Sequence, residues 1–182
     1  MTVYKITEKN MIATRGNGKY KLKMGLNITP NANCARNGFH AAENPLDCFN
    51  YYSPSDSNEY YLCKAFGDVD EDARDSKVSC THLNIKRKLS FEEFIMHAIL
   101  YIYKNPKAAN HSRIVKDKGS TDNGFVIVKG KNPIACGTKK GDVLGYILVN
   151  NNEVADVFYH VVDNKEFKPG VYYDFYGEKV KV

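Results

Sequence analysis

The sequence predicts an α+β protein: an N-terminal mixed sheet with two helices, followed by a C-terminal all-β segment arranged as a meander or a short β-solenoid. Three observations point there. Asn44-Pro45 puts a side-chain N-cap ahead of a proline at the first helical position. Ser90-Phe91-Glu92-Glu93 reads as a capping box, with Ser90 and Glu93 satisfying each other's backbone N–H groups ahead of an apolar face. Beyond residue 122, short β-branched and aromatic runs recur between glycine- and asparagine-rich turns.

In chain order, residues 1–6 read as a first strand, with Val3, Tyr4 and Ile6 its apolar positions. Arg15-Gly16-Asn17-Gly18 reads as a turn or hairpin tip; no G-x-G-x-x-G or G-K-[ST] pattern accompanies it, so it is not a phosphate loop. Tyr20, Leu22 and Met24 alternate with lysines, as in a half-buried strand. In the stretch 37–52, Gly38 frees the backbone for a turn, Phe39 to Ala41 run extended, and Leu46, Phe49 and Tyr52 repeat at helical spacing from the Asn44 cap. Residues 59–66 form the next strand, and 67–75 read as a solvated acidic loop. Its D-x-D-x-D spacing lacks the glycine and glutamate of a calcium loop, so no metal is assigned. A strand within 78–89 leads to the Ser90 helix, whose Ile95, Ile99 and Ile102 share one face and which Asn105-Pro106 ends.

The organisation expected is an α+β part over 1–106, a polar junction loop over 107–122 and a β segment over 123–182 packed on the first part. The apolar runs 125–128, 134–136 and 143–149 are spaced like solenoid rungs, and a meander explains them as well. Exposed edges there would serve a homo-oligomer.

With 182 residues, 43% hydrophobic and 26% charged, the chain is long enough to bury its own core. No run approaches the roughly 18–20 apolar residues that cross a bilayer, and no apolar signal segment opens the chain, so a cytoplasmic protein without membrane contact is expected. Five scattered cysteines with no C-x-x-C pair argue against a disulfide framework or zinc knuckle. The net charge of +5 is dispersed, without a basic stripe, and leaves nucleic-acid binding open. No G-x-S-x-G elbow or paired histidine ligands occur, so no catalytic residue, cofactor or metal is assigned and a non-enzymatic role is expected.

The block Asn37-Gly-Phe-His-Ala-Ala-Glu-Asn-Pro-Leu-Asp-Cys-Phe-Asn-Tyr-Tyr52 resembles the signature of a domain of unknown function common in bacteriophage and prophage proteins. The likeness continues through residues 61–67, 75–81 and 83–85, across roughly the first hundred residues. It implies viral origin and residence in the host cytoplasm. Thirteen tyrosines and nine phenylalanines suit interface anchors as well as a core. Together these suggest a small inhibitor that binds a host protein, for instance a defence component such as CRISPR-Cas. A fainter likeness is to the ADP-ribosyltransferase fold, with Tyr4-Lys5 on its first strand and Gly38-Phe39-His40 with Tyr51 or Tyr52 at its second position. That likeness implies an NAD- or nucleotide-binding protein, a transferase or a sponge. The sequence departs from it where Lys5 stands in place of Arg or His and where the catalytic glutamate is missing. The residues named for binding are Lys5, His40, Glu43, Tyr51 and Tyr52.

Overall fold

A computed structural model describes residues 1–15, 18–34, 36–72 and 74–182. The chain divides into two compact units, Met1–Phe94 and Ile95–Val182. Among the described residues strand accounts for 51% and helix for 15%, which corrects the α+β expectation: the protein is mostly β, with two sheets and one α-helix longer than a turn.

In the first unit, β1 (Thr2–Glu8), β2 (Ile12–Ala13), β3 (Tyr20–Lys21), β4 (Gly25–Ile28), β5 (Phe39–Ala42), β6 (Asn58–Glu71) and β7 (Lys77–Leu89) form one sheet. Every pairing in it is antiparallel, so the sheet is not mixed. The pairings β1–β6, β6–β7, β7–β5 and β5–β1 return to their starting strand. The last link is a single pair, Tyr4 opposite Ala42, whereas β1 pairs β6 from Thr2 to Glu8. The β1–β5 seam is therefore almost unzipped. The core beside it holds Val3, Phe39, Ala41, Tyr61, Cys63, Val78, Cys80, Leu83 and Ile85.

The first expected helix shrinks to one turn, α1 (Pro45–Cys48). Its start is as read: Asn44 Oδ1 accepts from Leu46 N at 3.1 Å, with Pro45 in the first turn. It stops because Phe49, Asn50 and Tyr51 donate three residues back and Pro54 disfavours helical backbone at Ser53. Leu46, Phe49 and Tyr52 are buried, and Phe49 meets Phe94 edge-on at 5.6 Å while Tyr60 meets Phe94 at 5.0 Å. Gly38 has φ 90°, a conformation costly for any side chain.

The acidic stretch is a strand as far as Glu71 rather than a loop. Ala73 of the acidic stretch, and Gly16 and Asn17 of the expected tip at 15–18, lie outside the described residues. The half-buried strand at 20–24 reduces to β3, with Tyr20 and Met24 each 50% exposed and only Leu22 buried. The capping box is present: Glu93 N donates to Ser90 Oγ at 3.0 Å and Ser90 N to Glu93 Oε2 at 2.7 Å, opening α2 (Phe91–Lys104).

The second unit holds a mixed sheet of β8 (Ile114–Ser120), β9 (Phe125–Cys136), β10 (Val143–Asn150), β11 (Glu153–Val161), β12 (Tyr172–Asp174) and β13 (Lys179–Val180). β9 pairs parallel with both β8 and β10, which excludes a plain meander. The runs 125–128 and 134–136, read as separate rungs, belong to the single strand β9, which removes the solenoid. Gly130 and Pro133 gave the false turn signal. Gly130 instead leaves room for Asp117, since a Cβ there would meet the Asp117 carboxylate. The polar 107–122 stretch contains β8, whose mostly exposed lysines and aspartate carry no apolar alternation. The Asn151-Asn152 turn, both residues at positive φ, joins β10 to β11 as the asparagines suggested. Val126, Val128, Leu144, Tyr146 and Tyr173 form this unit's core.

Candidate functional site

The seam between β1 and β5 opens onto a cavity of about 270 Å³ within the first unit. β1 contributes Tyr4, Lys5 and Ile6; β5 contributes His40, Ala41 and Ala42; α1 and the turn after it contribute Cys48, Tyr51 and Tyr52. Lys77 of β7 and Arg15, which follows β2, complete the wall. Three of these side chains are cationic and none is a carboxylate.

Antiparallel register places Lys5 directly opposite Tyr61, on the face that carries Val3 and Cys63, so the lysine is drawn into the core with them. It is 8% exposed. Its Nζ donates to the His40 carbonyl at 2.6 Å, across the seam where backbone pairing has lapsed. Among the described residues no carboxylate lies within ion-pair distance of it. Lys77 is also buried, but its Nζ meets Asp72 Oδ2 at 2.8 Å and donates to Tyr51 Oη at 2.9 Å. Burial works against the Lys77 charge, and the bonds to Asp72 and Tyr51 outweigh it, holding the ammonium above its ordinary range. The Tyr51 hydroxyl in turn donates to Asp75 Oδ2 at 3.1 Å. Tyr52 is fixed at the other wall, its hydroxyl accepting from Thr14 N at 2.9 Å and Arg15 N at 3.3 Å, with the Arg15 guanidinium 5.7 Å from its ring centre.

Burial, aided by Lys5 and Lys77, lowers His40 to about 4, so its ring is neutral at pH 7. Burial pushes the Cys48 thiol far above its ordinary value and also raises Tyr51. The site thus offers ammonium and guanidinium groups, a neutral imidazole and protonated hydroxyls and thiol. It can hold an anion and a planar group, and among the described lining residues no group is shifted toward a strong general base or an activated nucleophile. No group of three His, Cys, Asp or Glu side chains suited to a metal occurs among the described residues.

Of the residues singled out in the sequence, Lys5, His40, Tyr51 and Tyr52 come together around the cavity. Glu43 does not; it lies outside the lining, half-buried, its N–H bonded to Ser76 O at 3.1 Å and its carboxyl raised by burial and by Glu71. Arg15 and Lys77 were missed. Lys77 carried a faint signal as the lysine that opens the apolar run Val78-Ser79-Cys80, whereas Arg15 sat among turn residues and carried none.

No curated protein and no solved structure matches the chain. Among the described residues no helix is long and apolar enough to cross a membrane. A family profile matches residues 1–97, which include every side chain of the cavity. By that match the chain belongs to the family described as Domain of unknown function (DUF7666).

Proposed function

We propose that this protein binds a small anionic ligand of the nucleotide class in the cavity at the β1–β5 seam and holds it without group transfer. The observation that carries the reading is Lys5, an ammonium 8% exposed that donates to the His40 carbonyl and has, among the described residues, no carboxylate within ion-pair distance. Burying such a charge costs several kcal/mol unless an opposite charge arrives, and a phosphate or carboxylate of the ligand supplies it. Tyr51 and Tyr52 put aromatic side chains in the cavity lining, residues suited to packing against a planar ring. The faint ADP-ribosyltransferase likeness, carried by Gly38-Phe39-His40 and the same tyrosine pair, agrees with nucleotide binding, while Lys5 departs from it. A neutral His40 and a lining without a carboxylate favour binding over transfer. Calorimetry with AMP, ADP-ribose and NAD tests this. Heat from at least one of them, lost in Lys5→Met, and no label transfer from labelled NAD are the expected results. No heat from any of them would refute it.

A second reading, the inhibitor of a host protein suggested by the phage resemblance, has its own supporting observation. β4 ends the sheet path, and Met24, Leu26 and Ile28, alternating on one face, are 50%, 38% and 60% exposed. An open strand edge beside an apolar face suits strand addition by a partner. A pull-down from bacterial lysate that Ile28→Lys abolishes is the expected result, and a partner retained unchanged by that variant would overturn it.

A further inference from the structure

Two lysines line the same cavity, and they differ in their counter-charge. Lys5 has none among the described residues, whereas Lys77 is matched by Asp72 at 2.8 Å, with both side chains of that pair 9% exposed. The match is built in. Asp72 also accepts from Arg74 N at 3.0 Å, and its own N–H donates to Lys77 O at 2.9 Å, which closes the turn between β6 and β7 and fixes the carboxylate against the ammonium. Lys77 Nζ further donates to Tyr51 Oη and lies 4.8 Å from the centre of that ring, so the ammonium is fixed on the cavity wall with its charge already spent. Arg15 is exposed and sits over Tyr52. Among the described residues the buried wall therefore presents one uncompensated positive charge, at Lys5.

We propose that the Asp72–Lys77 pair masks the second lysine and so makes the cavity selective for ligands that carry a single anionic group, a monophosphate or carboxylate, over di- and triphosphates. This rests on the anion-binding reading above and narrows its substrate class. The size of the cavity points the same way: about 270 Å³ falls just below the usual range of ligand pockets, which leaves little room for a polyphosphate chain. Its lining includes Ile6, Ala41, Ala42, Tyr4 and Tyr51, apolar and aromatic residues that favour a compact body over an extended, highly charged chain. Asp72 does not line the cavity; it is a positioning residue that sets how much of the Lys77 charge a ligand meets.

The test is a charge cycle, read by calorimetry with AMP and ATP in metal-free buffer at fixed ionic strength. Wild type is expected to bind AMP at least as tightly as ATP. Asp72→Asn unmasks Lys77 and raises ATP affinity about tenfold, the scale of one charge-assisted contact, with a smaller gain for AMP. Lys77→Met leaves the Asp72 carboxylate unmatched and weakens both nucleotides. The double variant Asp72→Asn, Lys77→Met restores the wild-type ATP-to-AMP ratio, an outcome that a merely damaged fold would not produce. Wild type binding ATP tenfold more tightly than AMP would overturn the proposal, as would an ATP-to-AMP ratio unmoved by Asp72→Asn. If AMP binds in a Lys5-dependent manner and the ratio does not move, this inference alone fails; if wild type binds neither nucleotide, the anion-binding reading fails with it.

Discussion

Replacing Lys5 by methionine separates a ligand-binding lysine from a structural one, because the two roles move stability and affinity in opposite ways. The ammonium is 8% exposed and donates to the His40 carbonyl at 2.6 Å. Losing that charge-assisted bond costs about 1.5–3 kcal/mol. Against this, the buried charge is removed, which relieves a desolvation penalty of several kcal/mol. The unbranched methionine side chain can keep most of the lysine stem's contacts. The expected net change in unfolding free energy is therefore within about 2 kcal/mol of zero, and it favours the variant if the desolvation term is the larger. AMP affinity, which relies on the same ammonium, should fall by about 10- to 100-fold. Urea denaturation gives the first quantity and calorimetry the second. A loss of more than about 3 kcal/mol in stability with AMP affinity within about twofold of wild type would refute the reasoning. Lys5 would then be a strut that replaces the missing ladder between β1 and β5.

Three further expectations follow from named groups. His40 titrates near 4, below its unfolded value near 6.5, so the unfolded chain binds the extra proton first as pH falls. Stability should therefore be full above about pH 6.5 and decline toward pH 4; proton NMR of the His40 ring should show no titration above about pH 5, and a midpoint near 6.5 would contradict the buried geometry. Gly38→Ala forces a side chain onto φ 90° and drives its Cβ onto Ser79 Oγ, so urea denaturation should show a loss of about 2 kcal/mol or more. Asp142 is 1% exposed, and its Oδ2 accepts from Thr121 Oγ1 at 2.5 Å, Thr138 N at 2.8 Å, Thr138 Oγ1 at 2.9 Å and Lys139 N at 3.1 Å. Asp142→Ala should cost about 2–4 kcal/mol. Burial opposes the Asp142 charge but these donors lower its titration, so its contribution is present above the ordinary aspartate value and fades as pH falls through the lowered one; Asp142→Asn should flatten that part of an acid denaturation curve.

The parts of the fold legible in the sequence were those decided within a few residues. The Asn44 cap, the Ser90–Glu93 box, the apolar stripe of Ile95, Ile99 and Ile102 and the Asn151-Asn152 turn each depend on neighbours inside one turn of chain. What was misread depends on partners far away. β8 has exposed lysines and an aspartate because it is a polar strand flanking β9, and strand pairing leaves no trace in such a pattern. β9 runs through Gly130 because Asp117 of β8 approaches there, and Pro133 falls where the β8–β9 register shifts, between Lys129 and Ile134, so residues that usually end strands mark a close approach and an irregularity within one strand.

The same division runs through the site. His40, Tyr51 and Tyr52 lie within one strand-turn-helix stretch and could be read together, and Lys5 joined them through the fold likeness. Lys77 and Arg15 reach the cavity only through the β5–β7 pairing and the bonds from residues 14 and 15 to the Tyr52 hydroxyl. The absence of a carboxylate beside Lys5 among the described residues is likewise a tertiary fact. Glu8 and Glu43 flank it in sequence and strand neighbourhood, yet Glu8 turns to Thr14 Oγ1 at 2.8 Å and Glu43 lies outside the cavity lining.

The most direct test of the central claim is a crystal of the protein soaked with AMP. The expected result is density for the nucleotide at the β1–β5 seam, a phosphate oxygen within about 3 Å of Lys5 Nζ and the base against Tyr51 or Tyr52. A nucleotide bound elsewhere, or an empty seam at a concentration that saturates binding in solution, would contradict it.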